Sequence, residues 1–203
     1  MVNPKQTYPS VSDSTNRYLK SYIETVQNGN AETIENVSKH LRDYILEKVD
    51  EAIKDFYNND VDLLLTGMNE MTVSGRLAIY LQKRFEDFSA YYVDIEYYRL
   101  RVEKDKVRDK RKDRIRCDIL LHTRGKYNAR IDNLLAIEIK LEKSDDDGDS
   151  DLCRLAEFVI PEGPDTPENA VHSTLVGLFL RLGENRFDKV LVTPAGFTDI
   201  GQE

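Results

Sequence analysis

Apolar residues recur every three and four positions from Ala31 to about Asn58, which predicts one long amphipathic helix. The positions that define its apolar face are Ile34, Val37, Leu41, Ile45, Val49, Ile53 and Phe56. A second helix is predicted from Asn69 to Phe88. Its inward-facing residues are expected to be Val73, Leu77, Ile79 to Leu81 and Phe85.

After the second helix the pattern changes to period two, which is typical of strands. Three strands are predicted, at Tyr91 to Val102, Ile115 to His122 and Leu134 to Leu141. Helices are predicted over 151–159 and 168–182, and a last strand over 189–193. We therefore expect an α/β (α+β) domain with a central mixed, largely antiparallel sheet of four or more strands, flanked by helices and preceded by a long N-terminal helix.

The length of 203 residues fits a single domain. Residues 1–30 are predicted to be a loosely ordered N-terminal arm, because Pro4, Pro9 and several Ser and Thr residues lie near its start. Residues 31–203 are predicted to form the domain, with 31–60 as a helical extension and 69–160 as its core. The polar N-terminus and the lack of a long apolar run predict a cytoplasmic protein that does not contact a membrane.

Positive charge is concentrated in one segment of an otherwise acidic chain. Between Arg99 and Arg116 there are ten Lys and Arg residues against four acids, a local charge of +6, whereas the whole chain carries −8. Such a run is often a solvated hairpin tip. It leads directly into Asp118, however, and we favour contact with phosphates. The two cysteines are too few for a disulfide framework and lack zinc-binding spacing.

The strand from Leu134 to Leu141 carries an acid and an amine on one face. Glu138 and Lys140 alternate with isoleucines, so their Cα atoms should be roughly 7 Å apart. A charged pair in an apolar strand is costly unless a partner or a metal matches it, although a solvent-facing pair is the ordinary alternative. Asp118 can approach Glu138 if the two strands form a hairpin, and two such carboxylates suit Mg²⁺ or Mn²⁺. Asp118 could otherwise be a strand-entry or turn residue.

The pattern of Asp118, nineteen intervening residues and then Glu138-Ile139-Lys140 resembles the PD-(D/E)xK nuclease superfamily. The similarity extends over about residues 69–155 and implies a restriction-endonuclease-like fold. It implies that Asp118 and Glu138 hold a catalytic Mg²⁺ or Mn²⁺ and that Lys140 activates water. The sequence departs from the superfamily pattern at Cys117, which stands where a proline usually precedes the aspartate.

The resemblance also implies roles for residues outside this core motif. Glu70 matches an upstream helical acid that adds to the catalytic and metal-binding groups, although it could be a capping acid. The main-chain carbonyl of Ile139 would be a further metal ligand. Independently of the resemblance, Glu96 could point toward the metal or pair with Arg99 or Arg116.

The charge pattern gives the expected nucleic-acid contacts, although Arg154 could also merely end a surface pattern. These contacts are Arg99, Arg101, Lys110, Arg111, Lys112, Arg114, Arg116 and Arg154.

The sequence thus predicts a Mg²⁺-dependent nuclease that hydrolyses phosphodiester bonds, with DNA as the expected substrate and RNA left open. The resemblance also implies a homodimer, since two sites are needed for double-strand cleavage. The alternative is a catalytically silent module of the same fold that binds nucleic acid or a protein partner.

Overall fold

The computed structural model describes residues 16–28, 31–96, 98–100, 114–126, 129–144, 148–159, 174–193 and 196–202. Within these ranges the helices are α1 (Arg17–Asn28), α2 (Ala31–Asp60), α3 (Asp62–Leu65), α4 (Glu70–Arg84), α5 (Ala129–Asp132) and α6 (Asp149–Val159). The strands are β1 (Tyr92–Ile95), β2 (Tyr98–Leu100), β3 (Arg114–Arg116), β4 (Ile119–His122), β5 (Asn133–Leu141), β6 (Thr174–Leu182), β7 (Phe187–Thr193) and β8 (Gly196–Gln202).

Six of these strands form one mixed sheet in the order β1-β4-β5-β6-β7-β8. The central pair β5 and β6 is parallel, and the other neighbouring pairs are antiparallel. Strands β2 and β3 form a separate antiparallel pair. The prediction of an α+β domain with a mixed, largely antiparallel sheet flanked by helices is confirmed at this level.

Both faces of the sheet are covered, and the two cores are separate. Helices α1, α2 and α4 contribute their apolar side chains to a large core that also contains Leu135, Ile137 and Ile139 of β5. Helix α6 lies on the other face, where Leu155, Phe158 and Val159 pack against Ala136 of β5. A strand between two cores is buried on both sides. Any charged residue on β5 therefore has to find its partners inside the protein.

The prediction of a loosely ordered arm over residues 1–30 is wrong for 17–28, which form helix α1. Four of its residues, Leu19, Tyr22, Ile23 and Val26, are spaced by three, one and three positions and are buried in the large core. Asn16 begins the helix, because its Oδ1 accepts the N–H of Tyr18 at 2.9 Å. The proline-containing segment 1–15 lies outside the described residues.

The predicted helix over 168–182 is also wrong, because 174–182 form the central strand β6, while 168–173 lie outside the described residues. A strand buried on both faces carries a nearly continuous apolar run, which periodicity cannot distinguish from a buried helix. Strand β8, at the sheet edge, was not predicted. On α4, Ile79 was expected to face inward but is 57% exposed.

Two of the predicted strands are each divided in two. The segment 91–102 separates into β1 and β2 next to Glu96, whose backbone has a positive φ of 47°. The segment 115–122 separates into β3 and β4 at Cys117 and Asp118. The backbone N–H of Glu96 donates to the carbonyl of Asp118 at 2.9 Å, so the two breaks face each other. The interruption places Asp118 at a bend rather than within a strand.

Gly177 of β6 allows α6 to lie close to the sheet. A Cβ at this position would lie 2.7 Å from Val159 Cγ2 and 3.1 Å from Leu155 Cγ.

Gly177→Ala is therefore expected to lower the free energy of unfolding by about 1–3 kcal/mol through overpacking. Denaturant titration measures this change. Gly75→Ala is the matched control, since a Cβ there meets no atom within 4 Å, and it should stabilise helix α4 by about 0.5–1 kcal/mol. Equal stability of both variants would contradict the close packing.

Candidate active site

Glu138 and Lys140 lie on the face of β5 that α6 covers. Their neighbours Ile137 and Ile139 turn into the opposite core, so the alternation of the strand separates the charged pair from the apolar one. Glu138 is 2% exposed and Lys140 is 8% exposed. This burial excludes the interpretation of the two residues as a solvent-facing surface pair.

Asp118 is brought to these residues by the hairpin pairing of β4 and β5. Ile119 pairs with Ile137 in the antiparallel register, so Asp118 falls opposite Glu138 where that register continues beyond β4. The Asp118 Oδ2 atom accepts the backbone N–H of Ile139 at 2.7 Å. One carboxylate therefore binds the main chain between the acid and the amine of β5, which fixes its position relative to both.

Helix α6 supplies two further charged residues, one turn apart. Arg154 Nε lies 3.3 Å from Glu138 Oε1, and Asp151 Oδ2 lies 3.1 Å from Lys140 Nζ. Asp151 and Arg154 also pair with each other. Asp151 is 5% exposed and thus holds the Lys140 amine from inside the protein. The sequence indicated Arg154, but it did not indicate that Asp151 would partner Lys140. The three-residue spacing of the two on one helix was the available signal.

Glu70 approaches the site from the first turn of α4. Asn69 caps this helix by accepting the N–H of Thr72 at 2.9 Å. Glu70 Oε1 lies 3.6 Å from Lys140 Nζ, and it accepts the N–H of Leu141 at 3.4 Å. The predicted helical acid is therefore adjacent to the lysine. Lys140 lies between two carboxylates, one from each of the helices that flank β5.

Burial raises the pKa of both central carboxyl groups. The pKa of Glu138 rises from its ordinary value of 4.5 to about 8, first because the group is desolvated and second because Asp118 is nearby, while Arg154 opposes the shift. The pKa of Asp118 is raised by burial and by Glu70 and Asp151, against the N–H of Ile139, which lowers it. Desolvation is the largest cause of both shifts, and Arg154 and the N–H of Ile139 offset it only in part.

Not all of the predicted metal ligands form one cluster. Within the described residues, no group of three or more His, Cys, Asp or Glu side chains is arranged to hold a metal ion. Asp118 and Glu138 are brought together as a pair, whereas Glu70 is oriented toward Lys140 and the backbone of Leu141. The role of the Ile139 carbonyl stays a prediction.

Three of the eight predicted phosphate contacts, Arg99, Arg114 and Arg116, lie on the β2–β3 pair. Strand β3 ends at Arg116, just before the break at Cys117 and Asp118. Arg101, Lys110, Arg111 and Lys112 lie outside the described residues. The side chain of Arg154 reaches the site, where it pairs with Glu138. This side chain is 44% exposed, so part of it is open to solvent.

Beside these residues lies a cavity of about 760 Å³, whose wall includes Asp118, Glu70 and Glu96.

Comparisons of the chain with protein-family models, with curated proteins and with solved structures give no match. The helices of the described ranges include none that is long and apolar enough to cross a membrane. The fold and the site therefore define an α+β domain with a buried glutamate and lysine and a partly buried aspartate next to a solvent-connected cavity.

Proposed function

We propose that this protein is a metal-dependent nuclease of the PD-(D/E)xK type that hydrolyses phosphodiester bonds in DNA. The observation that carries the proposal is the burial of Glu138 and Lys140 on one face of β5, with Asp118 bound to the main chain between them. The mixed sheet with helices on both faces supports the restriction-endonuclease-like fold. A purely structural role would not require two neighbouring carboxylates at this point of the sheet, where Arg154 and the N–H of Ile139 compensate them only in part.

The donor set fits a divalent cation. Asp118 and Glu138 have raised pKa values partly because each acid is close to other negative charges, and a cation would relieve that repulsion. Mg²⁺ typically uses one or two carboxylates and keeps several waters, so a pair of acids suits it better than it would suit zinc. Asp118 and Glu138 would hold the ion. When bound, it would polarise a phosphoryl oxygen and lower the pKa of an attacking water.

The remaining residues have separate tasks in this proposal. The Lys140 ammonium can donate a hydrogen bond to the attacking water or to a phosphate oxygen, where its positive charge stabilises developing negative charge. Asp151 and Glu70 orient that amine from opposite helices. Arg154 pairs with Glu138 and exposes part of its guanidinium, which can bind a neighbouring phosphate. Each task uses a contact that the folded chain already makes.

A second candidate is the catalytically silent module that binds nucleic acid or a protein partner. Arg154 lies 3.3 Å from Glu138 and supplies part of the positive charge that a metal would supply. Together with the lack of a three-residue metal cluster in the described ranges, this pairing would suit a site that no longer binds an ion. The two candidates make opposite predictions about cleavage.

The test is cleavage of plasmid, linear and single-stranded DNA, with RNA as a further substrate, in Mg²⁺ or Mn²⁺ against EDTA. We expect metal-dependent cleavage by the wild-type protein, and loss of cleavage in Glu138→Ala and in Lys140→Ala. Residual activity that resists EDTA, or that persists in both variants, would identify a contaminating enzyme and count against the proposal. Binding of DNA without any cleavage in either metal would favour the silent module.

A further inference from the structure

The cavity beside the candidate active site is large enough for a ligand of its own. Its volume of about 760 Å³ lies within the range of about 300–1,000 Å³ that is typical of small-molecule sites. Asp118 and Glu70 form part of its wall. A group bound in the cavity would therefore be adjacent to the phosphate on which Asp118 and Lys140 are proposed to act.

The lining of the cavity includes six apolar residues, of which three are exposed to solvent. The six are Leu64, Met68, Met71, Ile95, Leu141 and Leu182. Met68 is 44% exposed, Met71 is 55% exposed and Ile95 is 43% exposed. Exposed methionines are costly in water, but their thioethers make favourable contacts with aromatic rings and adapt to flat ligands. This apolar part of the lining is suited to an aromatic, planar group.

The charged residues around the cavity disfavour a phosphate inside it. The lining contains two cations, Lys143 and Arg186. Lys143 pairs with Glu184 at 2.6 Å, and Arg186 pairs with Glu142 at 2.5 Å. The described lining also includes the acids Glu70, Glu96 and Asp118, so its balance is negative. A neutral ring is accepted by such a cavity, whereas an anion is repelled.

We propose that the cavity receives an unpaired nucleobase of the nucleotide next to the scissile phosphate. The inference rests on the proposed function, which places that phosphate beside Asp118. A base can enter only if it is not paired in a duplex, so the preferred substrate is single-stranded DNA or a site where one base is turned out of the helix. Met68 and Met71 are then specificity-determining residues, because they contact the ring and not the backbone.

The experiment is a cycle of binding measurements with a short single-stranded DNA whose phosphorothioate linkages resist hydrolysis. The wild-type protein and the Met68→Ala/Met71→Ala variant each bind this strand and a second strand in which abasic spacers replace the bases. Fluorescence anisotropy in Mg²⁺ gives each dissociation constant. We expect removal of the bases to weaken binding by the wild-type protein by about 3- to 100-fold, as the loss of two methionine–ring contacts would, and to weaken binding by the variant by less than half that factor.

Ile79→Ala is the matched control, because Ile79 is 57% exposed on the same helix as Met71 and is not part of the cavity wall. It should respond to base removal as the wild-type protein does. Equal effects of base removal in the wild-type protein and the methionine variant, or tighter binding of the duplex form of the strand, would overturn the inference. Because the cycle measures binding, cleavage in Mg²⁺ tests the proposed function separately. If the protein cleaves DNA but base removal has equal effects in the wild-type protein and the methionine variant, only the inference of a base-binding cavity is rejected.

Discussion

Lys140→Met is expected to lower the single-turnover rate of DNA cleavage by about 10²–10³-fold, which is typical when one charge-stabilising donor is removed from a buried site. Lys140 is 8% exposed and its amine lies 3.1 Å from Asp151 and 3.6 Å from Glu70. In such a low-dielectric environment one positive charge acts more strongly on a phosphate than it would in water. Methionine keeps most of the apolar stem of the lysine, so the variant chiefly removes the charge.

Lys83→Met is the matched control for this prediction. Lys83 is exposed in the last turn of α4, about 20 Å along the helix from Glu70, and it is not part of the cavity wall. Its loss should change the cleavage rate by no more than about twofold, because salt screens an exposed charge at that distance. The rates are measured at saturating Mg²⁺ with protein in excess over DNA. A rate for Lys140→Met within about tenfold of wild type would remove the lysine from the proposed chemistry.

Stability has to be measured alongside the rate. When Lys140 is removed, Asp151 still pairs with Arg154. Glu70 loses its ion pair, but its side chain is more exposed to water than that of Asp151. We therefore expect Lys140→Met to remain folded, although burial of Asp151 becomes less favourable. If the variant were unfolded, Asp151→Asn would provide a second measurement. This substitution weakens the contact that holds the Lys140 amine but keeps the amine itself. It should therefore reduce the cleavage rate less than Lys140→Met does.

The central hairpin was accessible from the sequence because two strong signals coincide there. Alternation in 134–141 places Glu138 and Lys140 on the face opposite to that of their isoleucine neighbours. The apolar run upstream of this strand begins directly after Asp118, and it is the expected partner strand. Antiparallel pairing of neighbouring strands then determines which residues meet. The structure has this pairing, with Ile119 opposite Ile137.

Other features depend on tertiary contacts that no local pattern contains. The strand β6 is buried by α2 on one side and by α6 on the other, so its residues show neither helical nor strand periodicity. The ion pair between Asp151 and Lys140 depends on how closely α6 packs over Gly177. The distance between this helix and the sheet is not contained in either sequence segment. The orientation of Glu70 toward Lys140 likewise follows from the docking of α4. A sequence pattern could indicate these residues individually but not their contacts.

Glu138→Gln should raise the free energy of unfolding in EDTA while it abolishes cleavage. Burial raises the pKa of Glu138 from 4.5 to about 8, so between these values the folded state holds a proton that the unfolded state has released. The stability of the wild-type protein must then fall as pH rises through this window. Glutamine does not ionise, so we expect the variant to gain on the order of 2–4 kcal/mol over wild type near pH 8 and almost nothing near pH 4.5.

Denaturant titrations across this pH range measure the gain, and Glu142→Gln is the control. Glu142 lies just beyond β5 but is exposed and pairs with Arg186 at the surface, so its replacement should change stability by less than about 1 kcal/mol at every pH. Mg²⁺ should stabilise the wild-type protein by about 3 kcal/mol at a hundredfold excess over its dissociation constant, and it should not stabilise Glu138→Gln. A difference between the two proteins that does not vary with pH would show that Glu138 is already ionised by its contact with Arg154. Failure of Mg²⁺ to stabilise the wild-type protein would instead favour the silent module, because Asp118 and Glu138 would then be buried without a cation to hold.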